Sequence, residues 1–296
     1  VSRKRGRALL AWLTVTALAA ALLIAGGVWV AGYFRDSLAP PLAIGCTATV
    51  GTGTYRLAVD QTENAALISA LSVQRGMPAR AASIALATSL QESKLRNIDY
   101  GDLDSVGLFQ QRPSQEWGTA EQIMDPVYSA TAFYNVLEKV PGYVDMPLND
   151  AAQIVQRSGF PQAYAQHEGL SRAFASALTG QSPAALNCTL APATPVGTPK
   201  TLEAALDAVL GPLPVTSTAG ESSTTVTVPV PATMGWEVAH WSVANAQQFG
   251  ITKVSYDGRR WDRDANNNGT NAGWQSAGTA AEPRHVVLSM AAPPAP

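Results

Sequence analysis

The sequence predicts a mainly α-helical exported domain, tied to a membrane by one N-terminal helix and followed by a small α+β module. Three observations carry this. Arg3, Lys4, Arg5 and Arg7 precede an uncharged run over residues 9–32, helical periodicity dominates residues 60–178, and the texture turns Pro, Thr and Ser rich after Cys188 before a compact segment resumes near Trp236.

A 24-residue apolar run is long enough to cross a hydrocarbon core of about 30 Å as a helix. It exceeds the apolar core of a secretory signal, and the basic residues before it set the orientation by the positive-inside bias. Residues 1–8 then read as a cytoplasmic tail, 9–32 as a transmembrane anchor in the lipid bilayer, and 33–45 as a juxtamembrane linker. The expected location is the plasma membrane, single-pass, with the C-terminal region outside. A signal cleaved near residues 38–43 would give the same compartment without the tether.

Of 20 Lys and Arg, four lie in the tail, which leaves 16 against 22 Asp and Glu. No polybasic surface is available for nucleic acid. Two cysteines, Cys46 and Cys188, bracket the helical region, and in an oxidising compartment a disulfide between them is the preferred reading over two free thiols. As a metal site the pair is poor: zinc needs three or four ligands, and the chain adds only His167, His240 and His285. No metal and no other cofactor is called for.

Within residues 46–188, residues 46–59 form an extended lead-in. Thr62 caps a helix that puts Leu67, Ile68 and Leu71 on one face and ends at Gly76. Pro78 suits the first position of a second, alanine-rich helix ending at Glu92 and Ser93. Asp99, Gly101, Asp102, Asp104 and Gly107 mark a polar loop, and helices follow over residues 127–139, 150–157 and 169–178. Residues 189–231 read as a Pro, Thr and Ser rich linker with a short helix at 202–210. Residues 232–290 form the α+β module, with a helix through Phe249, strands at 253–256 and 285–290, and a polar loop over 262–271; 291–296 is a tail. Asp262, Asp264, Asn266 and Asn268 alternate like calcium ligands, but Gly273 occupies the twelfth position where an acid belongs, so an ordinary polar loop is the preferred reading.

The chemically informative stretch runs from Leu90 to Gly118. A carboxyl at the end of an alanine-rich helix, facing a polar loop and the apolar Leu108 and Phe109, sits where desolvation raises its pKa and lets it donate a proton to a leaving alkoxide. Glycosidic cleavage needs such an acid. A solvated cap residue is the plainer reading of a Glu before Ser at a helix end, and the pattern alone does not choose between them.

Glu92, Ser93, Gly107, Leu108, Phe109 and Gln110 resemble the active-site signature of the soluble lytic transglycosylases and goose-type lysozymes. The longer run through Gln111, Arg112, Pro113, Trp117, Gly118, Asp125, Pro126 and Tyr128, and again Val155, Gln156, Arg157, Ser158, Pro161 and Tyr164, resembles an actinobacterial group of membrane-anchored lysozyme-like proteins. The resemblance covers residues 50–180. It implies a lysozyme-like fold for the helical domain and peptidoglycan glycan strands as the partner.

By that resemblance Glu92 protonates the oxygen between N-acetylmuramic acid and N-acetylglucosamine, then acts as base to draw the muramyl 6-hydroxyl into an anhydro ring. Gln110 and the backbone around Gly107 and Leu108 would hold the sugar, and Tyr164 would bond near the acid. Gln110 as a simple loop tie and Tyr164 as a core residue stay open, and Ser93 is expected to orient the loop. Asp102 is the counterpart of one carboxylate of goose-type lysozymes, but Arg112 stands near the second. The transglycosylase route is therefore preferred to hydrolysis assisted by Asp102, with non-catalytic strand binding or envelope scaffolding as the alternative. Asp99 and Asp104 are further carboxylates that could keep Glu92 protonated by like-charge repulsion. The C-terminal module resembles a degenerate metallopeptidase-like domain: His285 matches one ligand, and Val287 stands where a second histidine belongs. Sugar stacking by Trp236, Trp241, Trp261 and Trp274 is weighed against core packing, the commoner fate of tryptophan.

Overall fold

The computed structural model describes residues 44–160, 162–267, 272–278 and 282–291. Among them no helix is long and apolar enough to cross a membrane. The expected anchor over residues 9–32 lies outside the described residues.

The described chain is 43% helix and 20% strand, with two antiparallel sheets, so the expectation of a mainly α domain with a small α+β module is corrected to a mixed α/β architecture. Strands β1 (Gly45–Val50), β2 (Gly53–Leu57) and β3 (Leu186–Thr189) form a sheet in the order β2-β1-β3. The expected lead-in is thus a hairpin closed by a distant strand. Cys46 lies opposite Cys188 in the β1–β3 register, and the two form a disulfide. It closes a loop of 142 residues, worth about 5 kcal/mol in the chain-entropy model.

Helices α1 (Val59–Gln74), α2 (Ala79–Ser93), α3 (Ala120–Ile123), α4 (Pro126–Leu137), α5 (Leu148–Gln156) and α6 (Glu168–Leu178) fill the space between β2 and β3. Helix α1 starts three residues before Thr62. Gln61 caps it by accepting the Ala58 N–H at 2.9 Å, while Thr62 returns its hydroxyl to the Ala58 carbonyl. Helix α2 is the centre: every residue from Ala81 to Leu90 is buried, and its alanines admit close approach of α4, α5 and α6. It ends on two consecutive left-handed residues, Lys94 and Leu95, whose N–H groups return to Leu90 and Ser89.

Beyond β3 come α7 (Pro199–Leu210), β4 (Thr216–Ala219), β5 (Ser223–Pro229), α8 (Gly235–Ala244), α9 (Ala246–Phe249), β6 (Ile251–Tyr256), β7 (Arg259–Asp262), α10 (Arg263–Asn267), β8 (Trp274–Ser276) and β9 (His285–Ala291). The strands form one sheet in the order β4-β5-β9-β6-β7-β8. The Ser, Thr, Val and Pro composition that reads as a linker is therefore partly a strand pair. In β5, Val226 and Val228 point inward against Leu288 and Val286 of β9, while Thr225 and Thr227 fall on the other face. A period of two sits inside a low-complexity stretch, and only pairing with a strand some 60 positions away makes it a strand.

Helix α8 is buried along its whole length, packed by α1 and α6 on one side and by β6 and β9 on the other. Trp261 donates to the Asn187 side chain at 2.9 Å and Trp274 to the Leu186 carbonyl at 2.8 Å, which ties the second sheet to β3. All four tryptophans considered for sugar stacking are buried, so they serve the core. In the polar 262–271 segment, Asp262 accepts the Asp264 and Ala265 N–H groups as the cap of α10, and Asn266 is buried between the Asp262 carbonyl and the Gly273 N–H. These oxygens are spent on local structure; Asn268 lies outside the described residues.

Candidate active site

Glu92 occupies the last turn of α2, where the helix meets the 99–118 loop. Its carboxyl opens into a cleft of about 460 Å³, walled by Asp102, Gln110 and Arg112 from the loop and by Gln156, Arg157 and Phe160 from the end of α5 and beyond. The Tyr164 hydroxyl donates to Glu92 Oε1 at 2.7 Å. Burial raises the Glu92 pKa and is the largest influence on it; the Tyr164 and Gln156 side chains and the Arg112 charge pull the other way without cancelling it. Tyr164 is itself buried, and its phenol is pushed up by burial and by the adjacent carboxyl, so it stays a donor.

No like-charge pair contributes to keeping Glu92 protonated. Asp104 accepts the Ser114 N–H at 2.8 Å and its hydroxyl at 2.9 Å, which holds its pKa low. Asp102 is mostly exposed and pairs with Arg112 at 2.8 Å. Of the two routes to a raised pKa expected from the sequence, desolvation therefore acts without carboxylate repulsion. A larger recess of about 720 Å³ opens at the other end of α2 around Arg80, Asp145, Glu168 and Arg172. Glu168 lies 3.5 Å from Arg80 and 3.7 Å from Arg172, so the one carboxylate paired there is held between two cations and has no phenol donor like that of Glu92 among the described residues.

The signature residues divide by role. Ser93 is buried and donates to the Leu108 carbonyl at 2.7 Å; Ser89, one turn earlier, donates to the same carbonyl at 2.9 Å. Two hydroxyls on one face of α2 thus pin the loop under Glu92. Gly107 adopts φ +80°, and a Cβ there would meet the Ile123 carbonyl at 2.8 Å. Leu108 and Phe109 are fully buried, with Phe109 stacked on Phe133 at 4.7 Å, so their side chains belong to the core and cannot touch a ligand. The Gln110 amide donates to the Tyr100 and Gly107 carbonyls, each at 3.2 Å, and still lines the cleft; it ties the loop as well as facing the site.

Backbone strain gathers here. Of nine described non-glycine residues with positive φ, Leu103, Gln110, Glu116 and Arg157 line the cleft or adjoin residues that do, and Lys94 and Leu95 follow Glu92 by two and three positions. Each costs about 1–2 kcal/mol, which folds retain where a side chain must be aimed. Sequence reading did not single out Ser89 or Phe160. The Ser89–Ser93 spacing of four is the signal that could have found the first; exposed Phe160 had none.

No family model matches the chain, and no curated protein matches it.

Among the described residues no group of three or more His, Cys, Asp or Glu is placed to hold a metal ion. His285 lies 3.8 Å from Glu282 at the start of β9.

Proposed function

We propose that the chain cleaves peptidoglycan glycan strands by a lytic-transglycosylase-like reaction with Glu92 as the acid and then the base. The observation that carries this is the Tyr164–Glu92 hydrogen bond of 2.7 Å at the edge of a cleft, around a carboxyl whose pKa burial raises. A carboxyl of that kind delivers its proton to the glycosidic oxygen as the bond to the anomeric carbon breaks. The resulting carboxylate, held by Tyr164, takes the proton of the muramyl 6-hydroxyl as that oxygen bonds to the anomeric carbon. One carboxyl serves both steps and no water is consumed. The engagement of Asp102 with Arg112 and of Asp104 with Ser114 favours this route over hydrolysis, which needs a second carboxylate free to activate water. In this reading the active region is exported, where the disulfide persists, and the chain is held at the plasma membrane by residues 9–32.

The test is digestion of peptidoglycan by the full-length protein and by its Glu92→Gln variant. Gln keeps the volume and accepts the Tyr164 bond but has no proton to give. Turnover is expected to fall by about 10²–10⁴ with strand binding retained, and the wild-type products to carry anhydro-muramyl ends. Reducing ends would move the reading to hydrolysis. Binding without digestion by wild type would move it to a scaffold.

A further inference from the structure

Two arginines line the Glu92 cleft, and they are not in the same situation. The Arg112 guanidinium is committed to Asp102 at 2.8 Å and to the Ser105 hydroxyl at 2.9 Å. The Arg157 guanidinium has no hydrogen-bond or ion-pair partner among the described residues. Its backbone is also held at φ 53°, ψ 39° as the C-terminal cap of α5, a left-handed conformation that glycine or asparagine adopts with less strain. Arg157 is exposed, and its unpaired cation stands on a left-handed backbone at the wall of the cleft, open to a ligand there. Three residues on, Phe160 leaves 76% of its surface exposed on the same wall.

Charge points the same way. With Glu92 protonated, Arg112 and Asp102 cancel and Arg157 leaves the cleft with one net positive charge, in a chain whose formal net charge is −2. An apolar ring beside an unpaired guanidinium suits a ligand that offers an apolar sugar face and a carboxylate side by side.

We infer that Arg157 is a specificity-determining residue that selects amino-sugar strands carrying carboxylates over neutral amino-sugar strands. This rests on the glycan-cleaving reading above and adds to it the substrate feature that the cleft recognises. The carboxylate has two possible sources, the lactyl group of an unsubstituted muramyl residue or the acidic groups of an attached stem peptide. Both present the same planar anion to a guanidinium fork.

The experiment uses the full-length protein carrying Glu92→Gln, so that ligands bind without turnover, and measures calorimetric affinity for four probes. These are chitotetraose, an alternating N-acetylglucosamine–N-acetylmuramic acid tetrasaccharide with free lactyl groups, the same sugar with those groups amidated, and the same sugar bearing stem peptides. The free-lactyl or stem-bearing sugar is expected to bind about tenfold or more tightly than chitotetraose at low salt, with the gap narrowing as salt rises. Adding Arg157→Asn, a residue that tolerates the left-handed backbone, should abolish the gap and leave chitotetraose affinity unchanged; Arg157→Lys should keep part of it. Preference for the free-lactyl sugar assigns the carboxylate to the sugar, and preference for the stem-bearing sugar alone assigns it to the peptide. Equal affinity for all four probes, or a gap that survives Arg157→Asn, overturns the inference and leaves the glycan reading standing. Failure to bind any of them overturns both.

Discussion

Glu92 and Glu237 are two carboxyls with pKa values raised by burial, and they sit in opposite circumstances. Glu237 lies in the first turn of α8 with no exposed surface, and among the described residues neither of its oxygens has a hydrogen-bond partner. Desolvation alone pushes its pKa up to about 8. Its helical neighbour His240 is equally buried, donates from Nδ1 to the Ala177 carbonyl while its Nε2 has no partner among the described residues, and is pushed down to about 4. Glu92 is only partly buried, faces a cleft, and has a phenol aimed at it. A raised pKa therefore accompanies both a carboxyl open to a cleft and a sealed one. Access and a positioned donor separate them.

The largest expected effect breaks the comparison outright. Glu92→Gln should cost the 10²–10⁴ in turnover given above while leaving the melting temperature within a few degrees. Glu237→Gln should do the reverse. The folded pKa of Glu237 lies above its unfolded value, so the protonated form stabilises the fold fully below about pH 4.5, and that contribution is lost as pH rises toward 8. The slope can reach about 1.4 kcal/mol per pH unit. Because Gln cannot ionise, melting curves of the variant between pH 5 and 9 should lose that slope, with turnover at neutral pH unchanged within about twofold. Parallel curves for variant and wild type would show that Glu237 finds a partner in solution.

A smaller effect sharpens the role of the donor. Tyr164→Phe removes the hydroxyl that stabilises the ionised form of Glu92, so the Glu92 pKa should rise further. The alkaline limb of the pH–rate profile, where the acid loses its proton, should move to higher pH, with turnover down about tenfold. A limb that moves to lower pH would contradict the assigned direction of the bond. The smallest effect is expected at Asp102. Its ion pair with Arg112 is 84% exposed on the carboxylate side, so Asp102→Asn should shift stability by under about 1 kcal/mol and turnover by no more than about threefold. A loss approaching that of Glu92→Gln would reinstate Asp102 as a second catalytic carboxylate and hydrolysis with it.

Residue pattern by itself determined the local things. It placed α2 and its end at Ser93, the helices near 127–139, 150–157 and 169–178, and Glu92 beside an apolar turn, because each depends on periodicity or punctuation that neighbours set; the Cys46–Cys188 disulfide, though long-range, was legible because the chain has two cysteines. The long-range things were decided by tertiary structure. The hairpins at 45–57 and 216–229 join their sheets through partners far along the chain, β3 and β9, and the Thr, Ser and Val composition of the second reads equally well as a linker until β9 is present. Phe109 and Leu108 went to the core and Asp102 to Arg112, because packing and charge pairing in space choose among side chains that are close in sequence. Glu237 is the sharpest case. Sequence reading did not single it out: that its oxygens are left without partners among the described residues depended on α1, α6, β6 and β9 closing around α8, and desolvation is a property of everything that surrounds a group rather than of the group itself.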